Sequence, residues 1–118
     1  MSLASLPRPL RLALYAGAAT VLLALTLAPS EDLPSVNLWD KAEHAVAWMV
    51  LTGLGLVLSP RRPRAIAGFA LAFGALVEIL QGLLPIGRDA DIRDLLADSV
   101  GIGAALLVFL LVRGARRR

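Results

Sequence analysis

One imidazole and a run of carboxylates stand out in an otherwise apolar chain, and they fall in three blocks. DKAEH carries Asp40, Lys41 and His44; EILQ carries Glu78 and Gln81; GRDADIRDLLADSVG carries Arg88, Asp91, Asp94 and Asp98. Asp40 and His44 are four residues apart and share a helix face, with Lys41 three residues from His44. Glu78 and Gln81 are three apart, and Asp91, Asp94 and Asp98 form an i, i+3, i+7 stripe continuing through Gly101 and Ala105. This inventory fits acid–base chemistry: His44 carries a proton, Asp40 or Asp94 orients it, and Glu78 and Asp98 tune the surroundings. Lys41 and Arg88 would hold an anionic group, with Gln81, Asp91 and Asp98 as further binding groups. So many carboxylates in one place must be paired, protonated or coordinating a divalent cation. The coordinating version would use Asp40, Glu78, Asp94, Asp98 and His44, although no spacing requires a metal or any other cofactor.

Plainer roles compete at several of these positions. Asp40 and Asp91 stand where first-turn or capping acids support a helix start, and Asp94 could complete a capping box with Asp91. Asp98, about two turns further in, cannot be a cap. Trp39 reads as a membrane anchor and Trp48 as packing. DADIRD resembles a calcium loop at Asp89 and Asp91, but Arg93 takes the next ligand position and the required glycine is missing. There is no phosphate-binding glycine loop, no GxSxG and no HExxH. The absence of cysteine removes disulfides and thiolate chemistry.

The elements that must position these groups are membrane helices. A chain of 118 residues that is 58% hydrophobic and 18% charged, with a mean hydropathy of +0.74, lies outside the soluble range. Backbone embedded in lipid must satisfy its own hydrogen bonds, and the alternation of a barrel strand is absent. The expectation is a single all-α domain over 1–118, a bundle of four transmembrane helices at 12–28, 38–59, 65–84 and 91–112. For the first stretch a cleaved signal peptide is the competing reading. An acidic loop at 29–37 with Pro29 and Pro34 ends the first span; PRRPR at 60–64 stops the second and starts the third. Pro85 and Gly87 break the third from the fourth.

Charge orients the bundle. Of the 12 basic residues, Arg8, Arg11, Arg61, Arg62, Arg64, Arg113, Arg116, Arg117 and Arg118 fall on one side of this four-span arrangement, which should be cytoplasmic together with both termini. The acidic residues fall on the other side or in the outer half of a span. A sequence pI near 10.6 therefore reflects topology rather than nucleic-acid binding, with anionic-lipid contact a secondary role for the arginines. Glu78 lies six residues before Leu84, about 9 Å inside the helix end, where a charge needs a partner, a proton or a watery cavity. The second and fourth helices both start on the outer side, so their N–H groups favour an anion there.

Taken in order, DKAEH, EILQ and GRDADIRDLLADSVG resemble the three motif blocks of the VanZ-like membrane proteins over roughly 38–111. The resemblance implies a small helical protein of the bacterial inner membrane, in a family whose named member is associated with teicoplanin and lipoglycopeptide resistance. Two positions depart from that pattern. Asp98 stands where the family commonly has Asn, and Ala90 where a bulky apolar residue is usual. The expected function is to bind or process an envelope lipid or lipid-linked precursor in an outward-facing polar pocket, with an effect on glycopeptide susceptibility. Alternatives are a non-enzymatic lipid- or antibiotic-binding protein, or a structural module whose polar cluster only fixes packing. Expected partners are membrane lipids, a lipid-linked or lipophilic small molecule and, through Gly53, Gly55 or Gly68 faces, a second copy of the chain.

Overall fold

A computed structural model describes residues 2–28, 37–87 and 89–118, and for residues 37–40 the backbone alone. After a 3₁₀ turn at Leu3–Ser5 come four helices: α1 (Arg8–Thr26), α2 (Asn37–Leu58), α3 (Pro63–Leu83) and α4 (Ile92–Arg116). No strand occurs among the described residues. All four helices are long and apolar enough to cross a membrane, and the spans read from hydropathy fall on them. The acidic loop at 29–36, the side chains of Trp39 and Asp40, and Arg88 lie outside the described residues.

Local sequence accounts for the helix ends. Pro9 and Pro63 sit in the first turns of α1 and α3, where a missing N–H costs nothing. For α1 this moves the start four residues ahead of the apolar stretch, to Arg8. Arg11 then ties the start of α1 to the end of α2: its guanidinium donates to the Leu58 carbonyl at 3.0 Å and the Ser59 hydroxyl at 3.2 Å. A cation thus meets carbonyls that a helix C-terminus leaves unsatisfied. Beyond the short 84–90 connection, α4 runs on to Arg116, past the end at 112 expected from apolar length.

Helix packing departs from chain order. The short connection does keep α3 beside α4, but α4 makes its most extensive contact with α2. The cause is the small-residue stripe. Gly101 lies directly on the α2 backbone, so that a Cβ there would collide with the Ala45 carbonyl oxygen. Ala105, one turn further along, is also buried. In lipid, where apolar burial gives no drive, such close backbone approach is what holds helices together. Gly55 is likewise taken up inside the chain: a Cβ there would meet Ile66 and Tyr15. Of the three glycine faces expected to serve a second copy, only Gly53 and Gly68 have open space around them.

The interior is small and built around one indole. Trp48, Ala70, Val77 and Ile102 form the core, with Phe73, Leu22 and Leu106 packed against it. Large apolar residues such as Val50, Leu71, Leu83, Val100 and Leu111 point outward, the inside-out surface expected of helices in lipid.

Candidate functional site

The polar blocks of α2, α3 and α4 meet at one end of the bundle, away from the arginines of the 60–64 connection and of the two ends of the chain. His44, Glu78, Gln81, Asp94 and Asp98 are all buried. His44 projects from α2 onto α4, where its Nδ1 lies 2.8 Å from Asp98 Oδ1, with the two side chains 5% and 0% exposed. An Nδ1–H donated to Asp98 would leave the ring's lone pair on Nε2. Nε2 faces Asp94, with Asp94 Oδ2 at 3.9 Å. Among the described residues the group within hydrogen-bond distance of the histidine is Asp98, which the sequence suggested as a binding group, while Asp94 stands further off. Asp40, the other expected partner, has its side chain outside the described residues.

Lys41 spans two carboxylates of α4, bonding Asp91 Oδ2 at 2.9 Å and also Asp94 Oδ1. It thereby cross-links α2 and α4 at the partly exposed rim of the cluster. Asp91 is the N-cap of α4: its Oδ1 accepts from the Arg93 N–H at 2.9 Å. The N-cap's own N–H, which a capping box would give to Asp94, goes at 2.9 Å to Oε2 of Glu78 on α3. A carboxylate from the neighbouring helix thus completes the cap, while Asp94 turns to Lys41. The second Glu78 oxygen, Oε1, is buried without a hydrogen-bond partner. Gln81, also expected to bind substrate, donates its amide to the Thr26 carbonyl at the end of α1 at 2.8 Å. It closes a helix end there.

Trp48 is the participant that sequence reasoning missed. It is wholly buried, lies parallel to the His44 ring with centroids 5.6 Å apart, and donates Nε1–H to the Ala70 carbonyl at 2.9 Å. Phe73 and Phe69 continue the stack to Tyr15 on α1. Spacing held the signal, since Trp48 is four residues after His44 on the same helix face. Gly74 was missed for a similar reason: it is one turn before Glu78, and a Cβ there would come within 2.8 Å of Asp98 Oδ2 and 3.1 Å of Trp48 Nε1. Its missing side chain lets α3 approach the His44–Asp98 pair.

Among the described residues, the expected polar pocket is represented by the buried side chains of His44, Glu78, Asp94 and Asp98. Lys41 and Asp91, whose side chains are 26% and 37% exposed, form the rim of the cluster among the described residues. Two cavities lie instead at the arginine end of the bundle. One of about 300 Å³ is lined by Arg8, Tyr15, Gly55 and Arg62; a larger groove lies between Met49, Gly53, Phe109 and Arg113.

At the rim, Lys41 holds the Asp91 carboxyl below the usual carboxylate range by its hydrogen bond, with the Arg93 N–H adding to this. A depressed carboxylate stabilises the folded form at pH values above its ordinary value of about 3.9 and loses that contribution as pH falls through the folded value. Asp91→Asn retains a good N-cap residue but removes the charge. The thermal midpoint of the Asn variant in detergent should therefore lie below wild type near neutral pH, and the gap should close below about pH 4. A gap independent of pH would show that the charge of Asp91 is immaterial.

No protein-family model, curated protein or solved structure matches this chain.

Proposed function

We propose that this chain is a VanZ-like protein of the bacterial inner membrane that binds or processes an envelope lipid or lipid-linked cell-wall precursor, with the arginine end cytoplasmic and the His44 end outside. The observation that carries the reading is the His44–Asp98 pair, buried at a membrane-helix end with Glu78, Asp94 and Lys41 around it. Ionisable groups are expensive in such a position, and as a rule they serve a function. In the catalytic form of the reading, His44 takes or gives a proton through Nε2, Asp98 fixes its tautomer, and an anionic headgroup enters over Lys41 and Asp91. The arginine-rich end supports the orientation, because basic loops stay on the cytoplasmic side.

The test uses protein purified in mild detergent from cell membranes. Native mass spectrometry and lipid analysis should find a co-purifying anionic or polyprenyl-linked lipid, or conversion of an envelope lipid extract. His44→Ala and Glu78→Gln should remove at least nine-tenths of that signal while keeping the helical circular dichroism. Full retention by both variants would end the catalytic form.

A second reading, in which the cluster only fixes helix packing, is favoured by the complete burial of Asp98 and near-complete burial of Gln81. Under it, His44→Ala combined with Asp98→Ala would cost stability and leave bound lipid unchanged.

A further inference from the structure

The geometry points to a divalent transition-metal site formed by His44 Nε2 and one carboxylate oxygen each from Glu78 and Asp94, with Asp98 as the orienting partner of the histidine. This inference stands apart from the lipid reading and holds for any substrate.

The first support is convergence. One ligand atom from each of His44, Glu78 and Asp94 lies within 4.8 Å of the others, and all three residues are buried. They come from α2, α3 and α4, so a single ion would join the helices that build the polar end. Two bonds of about 2.0–2.2 Å to an ion limit ligand atoms to roughly 4 Å apart. The 3.9 Å between His44 Nε2 and Asp94 Oδ2 already meets that limit, and closing the set needs a movement of about 1 Å by carboxylates on rotatable stems.

Two independent features point to a ligand rather than to a mere cluster of acids. Glu78 is 7% exposed, and its Oε1 has no hydrogen-bond partner although Oε2 is engaged by the Asp91 N–H. A buried carboxylate oxygen is costly without a proton or a cation. The other ring nitrogen of His44 lies 2.8 Å from a carboxylate oxygen of Asp98, the placement that metal-bound histidines almost always show, because an N–H donated there fixes the tautomer and raises the basicity of the ligating nitrogen.

One imidazole nitrogen with two carboxylate oxygens and no sulfur suits zinc, manganese or ferrous iron. Calcium and magnesium prefer all-oxygen shells. Three protein ligands leave positions open for water or for an oxygen of a bound group, as in catalytic rather than structural sites.

Protein without a histidine tag, stripped of metal in detergent micelles, is titrated with Co²⁺ while d–d absorption is recorded, then with Zn²⁺. One Co²⁺ per chain, displaced by Zn²⁺, is expected. His44→Ala and Glu78→Gln should each weaken binding at least 100-fold, and Asp98→Asn about 10–100-fold at unchanged stoichiometry. Glu43→Gln, on an exposed position of α2, should bind as wild type. Equal affinity in His44→Ala, or no stoichiometric binding by wild type, overturns the site. Should the variants fail to fold, wild type decides alone: the chain has 1 histidine, and ¹⁵N labelling gives one pair of ring signals. Zn²⁺ must shift Nε2; an unmoved Nε2 signal overturns the proposal. Lipid retained by the metal-free sample is scored separately, so loss of the metal site leaves the lipid reading to its own test.

Discussion

Replacing Lys41 by methionine should destabilise the bundle by about 2–3 kcal/mol, measured as the shift in SDS-induced unfolding from mild detergent. Removing one partner of a buried pair typically costs about 3–5 kcal/mol because a charge is left uncompensated. The lower figure applies here because Lys41 and Asp91 are partly exposed, whereas Asp94 is not. The stranded group is Asp94, one first-turn acid of α4 that has no capping duty of its own. Adding Asp94→Asn to Lys41→Met should therefore recover more than half of the loss, a coupling that a double-mutant cycle reads directly. Stability within about 0.5 kcal/mol of wild type for Lys41→Met would mean that solvent already screens the pair. The α2–α4 contact would then rest on packing and the His44–Asp98 pair.

Gly101→Ala should cost about 3 kcal/mol or more, at the upper end of overpacking effects. A Cβ at this position would fall on the Ala45 carbonyl oxygen and 2.9 Å from the Met49 nitrogen. Both are backbone atoms within α2, so no side-chain rotation relieves the clash and the helices must separate. Ala45 follows His44, and Gly101 is one turn after Asp98, so separation here also lengthens the histidine–carboxylate bond. Ligand or metal binding should fall together with stability. Gly53→Ala and Gly103→Ala, which meet nothing within 4 Å, are the controls and should be neutral or slightly stabilising through helix propensity. If Gly101→Ala unfolds no more readily than these, the α2–α4 contact is looser than the structure has it.

Hydropathy, proline placement and the position of charges were enough to read four helices and to gather DKAEH, EILQ and the GRDADIRD block at one end. Those properties are set by neighbours along the chain. The pairing inside the cluster was not readable, because it depends on how each helix is rotated about its axis. His44 and Asp98 are 54 positions apart, and nothing in their local sequence says that Asp98 will meet Nδ1 of the imidazole while Asp94 stands on the Nε2 side. Glu78 capping the N–H of Asp91 is a contact between helices, whereas a capping box read from sequence assumes an acid on the same helix. Gln81 was given to the pocket by its spacing from Glu78, yet the rotation of α3 turns it toward the end of α1. The small-residue stripe through Gly101 and Ala105 did identify a packing face, although its partner is α2 and not the helix next in sequence. Arg88 and the side chain of Asp40 lie outside the described residues.

The parallel rings of His44 and Trp48 give the protein its own optical gauge. The chain contains 2 tryptophans, so a Trp39→Phe background leaves a single indole, 5.6 Å from the imidazole and shielded from water. A change of charge on that imidazole, whether by a proton or by a bound ion, acts directly on the excited state of the indole. Emission from one native residue can then follow events at the polar end in intact membranes, with no dye or engineered label.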